Sequence, residues 1–195
     1  GQDERNQSQI DHLDENLALM KLVNPSVVAM AHTANSYTLG KDGEAKLVDR
    51  LQKTFEVPFI TAFGSVVTAL RQIGVNNIAF GTPYSEQNTL RCKNLLEEYG
   101  FNIISFGNLP GVKNIYDETP ARAGQLMNQV DVSGADAIFI SGVGMPTIDA
   151  LEKAEAILGK PIISSIAATM WNAIRVAGIK SDIQGYGSLL AGKYN

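Results

Sequence analysis

Two short turns carry the residues best suited to chemistry. In the first, His32-Thr33-Ala34-Asn35-Ser36 follows the apolar run VVAMA. An imidazole titrates near neutral pH, so His32 at a strand end can exchange a proton with a carbon acid or an enolate. In the second, Gly142-Val143-Gly144 follows the apolar run AIFIS. Glycine offers no side chain, but successive backbone N–H groups in such a turn can hold a carboxylate or an enediolate oxygen. Pro146 and Thr147 are expected to open a helix just after it, because proline is pre-set for the first helical position. The free N–H groups of that first turn would add to the attraction for an anion. Plainer alternatives stand beside both readings: a loop histidine that orders nearby backbone, and a tight turn that needs glycine. As a dinucleotide fingerprint, GVGMPT lacks the third glycine. Cys92, inside SEQNTLRCKNLLEEYG, reads as a small core residue rather than a reactive thiol.

These turns need strands to carry them, and the chain supplies strands and helices in alternation. Helices are expected over residues 11–23, 43–55, 64–73, 85–99, 119–130, from 146 onward, and 167–177. Strands are expected over 27–31, 57–60, 77–81, 102–106, 137–141 and 161–164, with 32–42 as a loop. Strands alternating with helices imply parallel sheets covered on both faces, an α/β fold. In such sheets ligands bind at the carboxyl ends of the strands, where both turns fall.

Composition limits the function classes. The chain has 195 residues, 45% hydrophobic and 18% charged, enough for a real core. Its net charge of -4 and pI near 5.2 argue against a nucleic-acid or anionic-membrane surface. No apolar run approaches the roughly 18 residues that would span a bilayer. The opening GQDERNQSQ is polar and has no apolar signal region. One cysteine excludes an intramolecular disulfide framework and suits a reducing compartment, so a cytoplasmic protein is expected. With two histidines and one cysteine, widely separated, a Cys/His metal site is not expected.

The segment 135–178 resembles the aspartate/glutamate racemase superfamily and, within it, the arylmalonate decarboxylase and maleate isomerase branch. Val143, Gly144, Thr147, Ile148 and Asp149 carry the likeness. So do Gly159, Pro161, Ser164, Ser165, Trp171, Arg175 and Gly178. Similarity runs from about Val27 to the GYG at 185–187. The resemblance implies two similar lobes with parallel sheets, related by a pseudo-two-fold, with the site in the cleft between them. Residues 1–62 with 166–195 would form the first lobe and 63–165 the second. It also implies a strand and a Pro- and Asn-containing loop ahead of the first helix, so the sequence is expected to lack its front.

The resemblance further implies a cofactor-independent enzyme acting on a small mono- or dicarboxylic acid through an enediolate. His32 and Tyr84, the latter closing GTPY, would be the catalytic residues. Thr33, Asn35, Ser36, Gly142, Val143 and Gly144 would bind substrate. Both turns usually hold a cysteine in this branch, or a glycine at the first in the decarboxylases; here the positions read His32 and Gly142. A two-thiol mechanism is therefore unavailable. One proton donor suits a decarboxylase better than a racemase. The alternatives are an isomerase or racemase working by a non-thiol route, and an inactive carboxylate-binding homologue. The loop 111–118 aligns loosely with a family loop that lends an Asn to the site. Asn114 and Asp117 are the candidates there, Lys113 could hold an acidic substrate, and a solvated loop is the alternative. Ser164 and Ser165 could line the cleft, while Trp171 reads as core. The expected partners are a small carboxylate and further copies of the chain, with no nucleic acid and no membrane.

Overall fold

The computed structural model describes residues 2–194. Two helices open the chain, α1 (Gln2–Asp11) and α2 (Leu13–Lys21). There follow β1 (Val28–Met30), α3 (Thr33–Phe55), β2 (Phe59–Thr61) and α4 (Ala62–Gln72). Next come β3 (Asn77–Thr82), α5 (Glu86–Glu98), β4 (Asn102–Asn108), a 3₁₀ turn at Ile115–Asp117, and α6 (Pro120–Val130). The chain closes with β5 (Ala137–Ile140), α7 (Ile148–Leu158), β6 (Ile162–Ser164) and α8 (Ser165–Val176).

All pairings are parallel, as the alternation requires. Strands β1 and β2 form one sheet, and the other runs in the order β4-β3-β5-β6. The burial of each strand follows its place. Central β5 reads AIFI and is buried at every position, whereas β4, at the edge, alternates. Helices α4 and α8 pack on each other, and each begins where a strand ends. Thr61 and Ser164 cap them, their hydroxyls accepting from the backbone N–H groups of Gly64 and Ala167. One large core of β3, β5, β6 and their helices holds Phe63, Phe80, Phe139 and Trp171. A smaller one, with Leu17, Leu51 and Phe59, lies between α2, α3 and the two-stranded sheet.

Three local expectations need correcting, and one helix, α1, was not among those expected. Residues 32–42 are not a loop: α3 begins at Thr33 and runs on across a kink at Gly40, whose φ of 67° and ψ of 173° are non-helical. The Ser/Thr/Asn-rich sequence imitates a loop, but Thr33, Asn35 and Ser36 are fully buried. Ser36 and Thr61 donate to Glu44 Oε1, both at 2.5 Å, and Tyr99 donates to Oε2 at 3.0 Å. This buried carboxylate staples the two halves of α3 across the kink. The polar opening forms α1. Its lack of an apolar stripe hid it, because it is held by polar contacts: Asn6 Nδ2 donates to the Ala34 carbonyl and to Thr38 Oγ1. Second, the helix expected over 11–23 starts at Leu13, after a break at His12, and stops at Lys21. Third, Pro146 does not open α7. Thr147 is the cap and the helix begins at Ile148. Among the described residues, no helix is long and apolar enough to cross a membrane.

Candidate active site

The ends of β1, β3 and β5 meet around a cavity of about 560 Å³. His32 comes from the end of β1, and Pro83, Tyr84, Ser85 and Asn88 from the segment after β3 and the start of α5. Val143 and Gly144 come from the turn after β5. The loop after β4 closes one side with residues 112–116, and α1 closes another with Arg5 and Gln9. Two cations, Arg5 and Lys113, line this space and no carboxylate does. The chain as a whole is acidic, so the cavity is a local exception suited to an anion.

The first turn presents a side chain. His32 is the extended N-terminal flank of α3, with φ −143° and ψ 99°. Its Nδ1 lies 2.8 Å from Asn35 Oδ1. Partial burial pushes the imidazole pKa below its ordinary value, and the positive charge of Arg5 pushes the same way. The Asn35 bond opposes both. Asn35 itself is fully buried, and its amide nitrogen donates to Met30 Sδ at 3.4 Å. Ser36 is committed to Glu44 and does not line the cavity. Thr33 does not line it either, yet its hydroxyl is buried without a hydrogen-bond partner. A native buried hydroxyl left unpaired calls for an explanation such as a ligand or a bound water.

The second turn presents backbone. Gly142 has a φ of 97°, which a side chain would strain. Its N–H already donates to Ser165 Oγ at 3.2 Å. The nest expected over 142–144 therefore narrows to the amides of Val143 and Gly144. A Cβ at Gly142 would lie 2.8 Å from Ile115 Cδ1 and 3.0 Å from Pro83 Cγ. One at Gly144 would lie 2.8 Å from the Tyr116 ring. The 3₁₀ turn thus packs down over the two glycines, crowding any side chain at Gly142 or Gly144.

Between the turns, the Tyr84 hydroxyl makes no hydrogen bond among the described residues. Burial holds its pKa well above the ordinary value, so it stays a donor. Tyr37 packs edge-on against the Tyr84 ring, and its hydroxyl shares a 2.5 Å hydrogen bond with Ser141 Oγ. Cys92 is buried beside Tyr37, its thiol pushed up to about 12 by burial, and it is no nucleophile at neutral pH. Asn114 and Lys113 line the cavity, with Asn114 Oδ1 accepting from the Tyr116 N–H. Asp117 does not line it. Ser164 is spent on capping, and Trp171 is core, stacked against Arg175 at 4.7 Å. Sequence reasoning missed Arg5, Gln9, Asn88, Ile115 and Tyr116. The first two sit on a helix without an apolar stripe, and the last two act by packing on glycines. No cluster that could hold a metal occurs among the described residues.

The parallel α/β architecture, with an imidazole, a phenol and backbone amides converging at strand ends, defines a class of α/β proteins whose ligands bind at such ends. The comparisons place the chain within it. The arylmalonate decarboxylase family model matches residues 3–190, and the chain belongs to that family. It is 28% identical over 171 residues to the arylmalonate decarboxylase of Bordetella bronchiseptica, covering 84% of this chain and 70% of that one. It is 29% identical over 140 residues to the maleate isomerase of Geobacillus stearothermophilus, covering 70% of this chain and 56% of that one. The chain therefore spans little more than half the length of the maleate isomerase it matches. A liganded arylmalonate decarboxylase crystal structure, a glycine-to-cysteine, cysteine-to-serine double mutant, superposes with a TM-score of 0.90. It is 26% identical and covers 95% of this chain and 81% of that one. A maleate isomerase from Pseudomonas putida S16 superposes with a TM-score of 0.92 at 22% identity, covering 98% of this chain and 80% of that one. This second likeness speaks for the fold alone.

Proposed function

We propose that this protein is a cofactor-independent enzyme that decarboxylates a small dicarboxylic acid through an enediolate, working in the cavity lined by His32. The observation that carries the reading is the one-sidedness of that cavity. His32 reaches it from one turn, while the other has no side chain at Gly142 and no room for one beneath Ile115 and Pro83. Loss of carbon dioxide followed by protonation needs one donor. A two-base racemase needs a donor on each face, and thiol-driven isomerisation needs a thiolate. Cys92, buried and pushed up to about 12, is no substitute.

In this reading the Val143 and Gly144 amides and the Tyr84 hydroxyl stabilise the enediolate oxygens. Arg5 and Lys113 attract the dianion and favour it over a neutral acid. Asn35 and Ser36 act through their partners rather than by touching substrate. We also read the cavity as the cleft between two lobes, 1–62 with 166–195 against 63–165. The repeated order β1-α3-β2-α4 and β5-α7-β6-α8 supports this.

The test is NMR in deuterated water with phenylmalonate, maleate, aspartate and glutamate. It is run on this chain and on a version extended at its amino terminus to the relatives' length. Carbon dioxide loss from the malonate, with one deuteron gained at the α-carbon, supports a decarboxylase. Conversion of maleate to fumarate would replace it with an isomerase. Binding of an acid without any exchange would leave a carboxylate-binding homologue.

A further inference from the structure

We propose that Asn35 is a positioning residue that fixes the tautomer of His32, keeping the proton on Nδ1 and leaving Nε2 bare toward the cavity. The argument starts at Met30. A thioether sulfur accepts hydrogen bonds and cannot donate. The Asn35 group 3.4 Å from Met30 Sδ is therefore the NH₂, which turns the amide oxygen toward the imidazole. That oxygen has no proton, so His32 Nδ1, 2.8 Å away, must donate. The backbone adds a second tie, Asn35 N–H donating to the His32 carbonyl at 3.2 Å. Asn35 is fully buried, so no water competes for its amide. Nε2 makes no hydrogen bond among the described residues and is the ring atom left for a ligand.

The tautomer sets the order of proton movements. Nε2 must gain a proton before it can give one. Charged and titratable groups that line the same cavity are Arg5 from α1, Lys113 and Tyr116 from the loop after β4, and Tyr84 before α5. Arg5 and partial burial disfavour the imidazolium in the unliganded cavity. A bound dicarboxylate brings negative charge that favours it. Solvent then supplies one proton to Nε2, while Nδ1–H stays on Asn35. When the C–C bond to the departing carboxylate breaks, its electron pair forms the enediolate. The Nε2–H bond breaks, a C–H bond forms at the α-carbon, and His32 returns to neutral. This second half rests on the decarboxylase reading; the tautomer does not.

The experiment is ¹⁵N NMR of ring-labelled histidine near pH 8, with His12→Gln identifying the other histidine. The expected spectrum shows His32 protonated on Nδ1. Asn35→Asp, which keeps an acceptor there, should retain that pattern, and Asn35→Leu should shift it toward Nε2–H. An Nε2–H spectrum in the native protein, or no change in a folded Asn35→Leu, overturns the proposal. Should Asn35→Leu fail to fold, the native and Asn35→Asp spectra decide. Calorimetry with phenylmalonate in buffers of different ionisation enthalpy should record uptake of one proton per ligand bound. In a folded Asn35→Leu, kcat should fall about 10- to 100-fold, as for other partners that orient a functional histidine, with KM nearly unchanged. An Nδ1–H spectrum without proton uptake or turnover would sink the decarboxylase and leave the positioning role standing.

Discussion

The turn after β1 and the turn after β5 share a plan of strand, turn and helix, followed by a second strand and helix, but they are equipped in opposite ways. The β1 turn spends polar side chains. His32 reaches the cavity, Asn35 backs it, and Ser36 ties into Glu44 so that the kinked α3 can begin at once. The β5 turn contributes backbone amides and, at Val143, only an apolar side chain. Gly142 takes a left-handed φ, gives its N–H to Ser165 and lies under Ile115 and Pro83. In the proposed reaction, one face of the cavity between these turns moves protons and the other holds charge. The two turns differ in the residues at two positions, His32 and Gly142, and in the packing above one of them.

Breaking the first turn should give the largest effect. With phenylmalonate, His32→Ala should lower kcat by about 10²- to 10⁴-fold, the usual worth of a positioned acid/base. Binding, read by calorimetry, should survive because the amides and cations remain. Undiminished turnover would remove His32 from the mechanism and the asymmetry with it. Tyr84→Phe tests the group between the turns. Loss of one hydroxyl from an oxyanion site should cost about 10²-fold in kcat, and a change confined to KM would make Tyr84 a wall of the cavity and nothing more.

Restoring symmetry at the second turn should fail. Gly142→Cys places a Cβ on a strained backbone and against Ile115 Cδ1 at 2.8 Å. It should destabilise the fold by about 1–3 kcal/mol in urea denaturation. Ile115→Ala should cost less in that background than in the native chain, since it relieves the clash. Equal costs in both backgrounds would show that Ile115 does not close this face. Recovery of racemase activity in Gly142→Cys would show the closure to be soft.

How much of this could be read from the sequence depended on which force decides each element. The α/β alternation was legible because apolar period and glycine stops set it: β5 is a pure apolar run, and Gly159 ends α7 with φ 68°. The two turns were legible as places where chemistry could occur, and the structure brings His32, Tyr84, Val143 and Gly144 to one cavity. The start of α3 was misread because buried Ser, Thr and Asn look like loop until their partners are known, and Glu44 is eight residues from Ser36. Helix α1 was invisible for a related reason. Its hold on the fold is Asn6 on the Ala34 carbonyl and Asp3 on Arg91, contacts that no periodicity announces. The Ile115 and Tyr116 cover was equally hidden, since a glycine's neighbours are set by tertiary packing.

The smallest effect in the comparison is thermodynamic, and it isolates the first turn without any substrate. In the folded protein His32 titrates below its ordinary 6.5, because of burial and then of Arg5, against the opposing bond to Asn35. The unfolded chain therefore binds the proton more readily than the native one. The sign follows from linkage: stability is full above about pH 6.5 and falls as the pH drops toward the folded value. Asp3, Asp14 and Asp136 also titrate below their usual value, but that value is 3.8, so their contribution is lost at lower pH. Urea midpoints at pH 7 and pH 5 thus bracket His32. His32→Gln should flatten the decline between them, while Gly142→Ala, which lowers the midpoint, should leave the slope intact. An unchanged slope in His32→Gln would place the imidazole in water rather than in the partly closed cavity, and the first turn would lose the low-pKa base on which the contrast with the second depends.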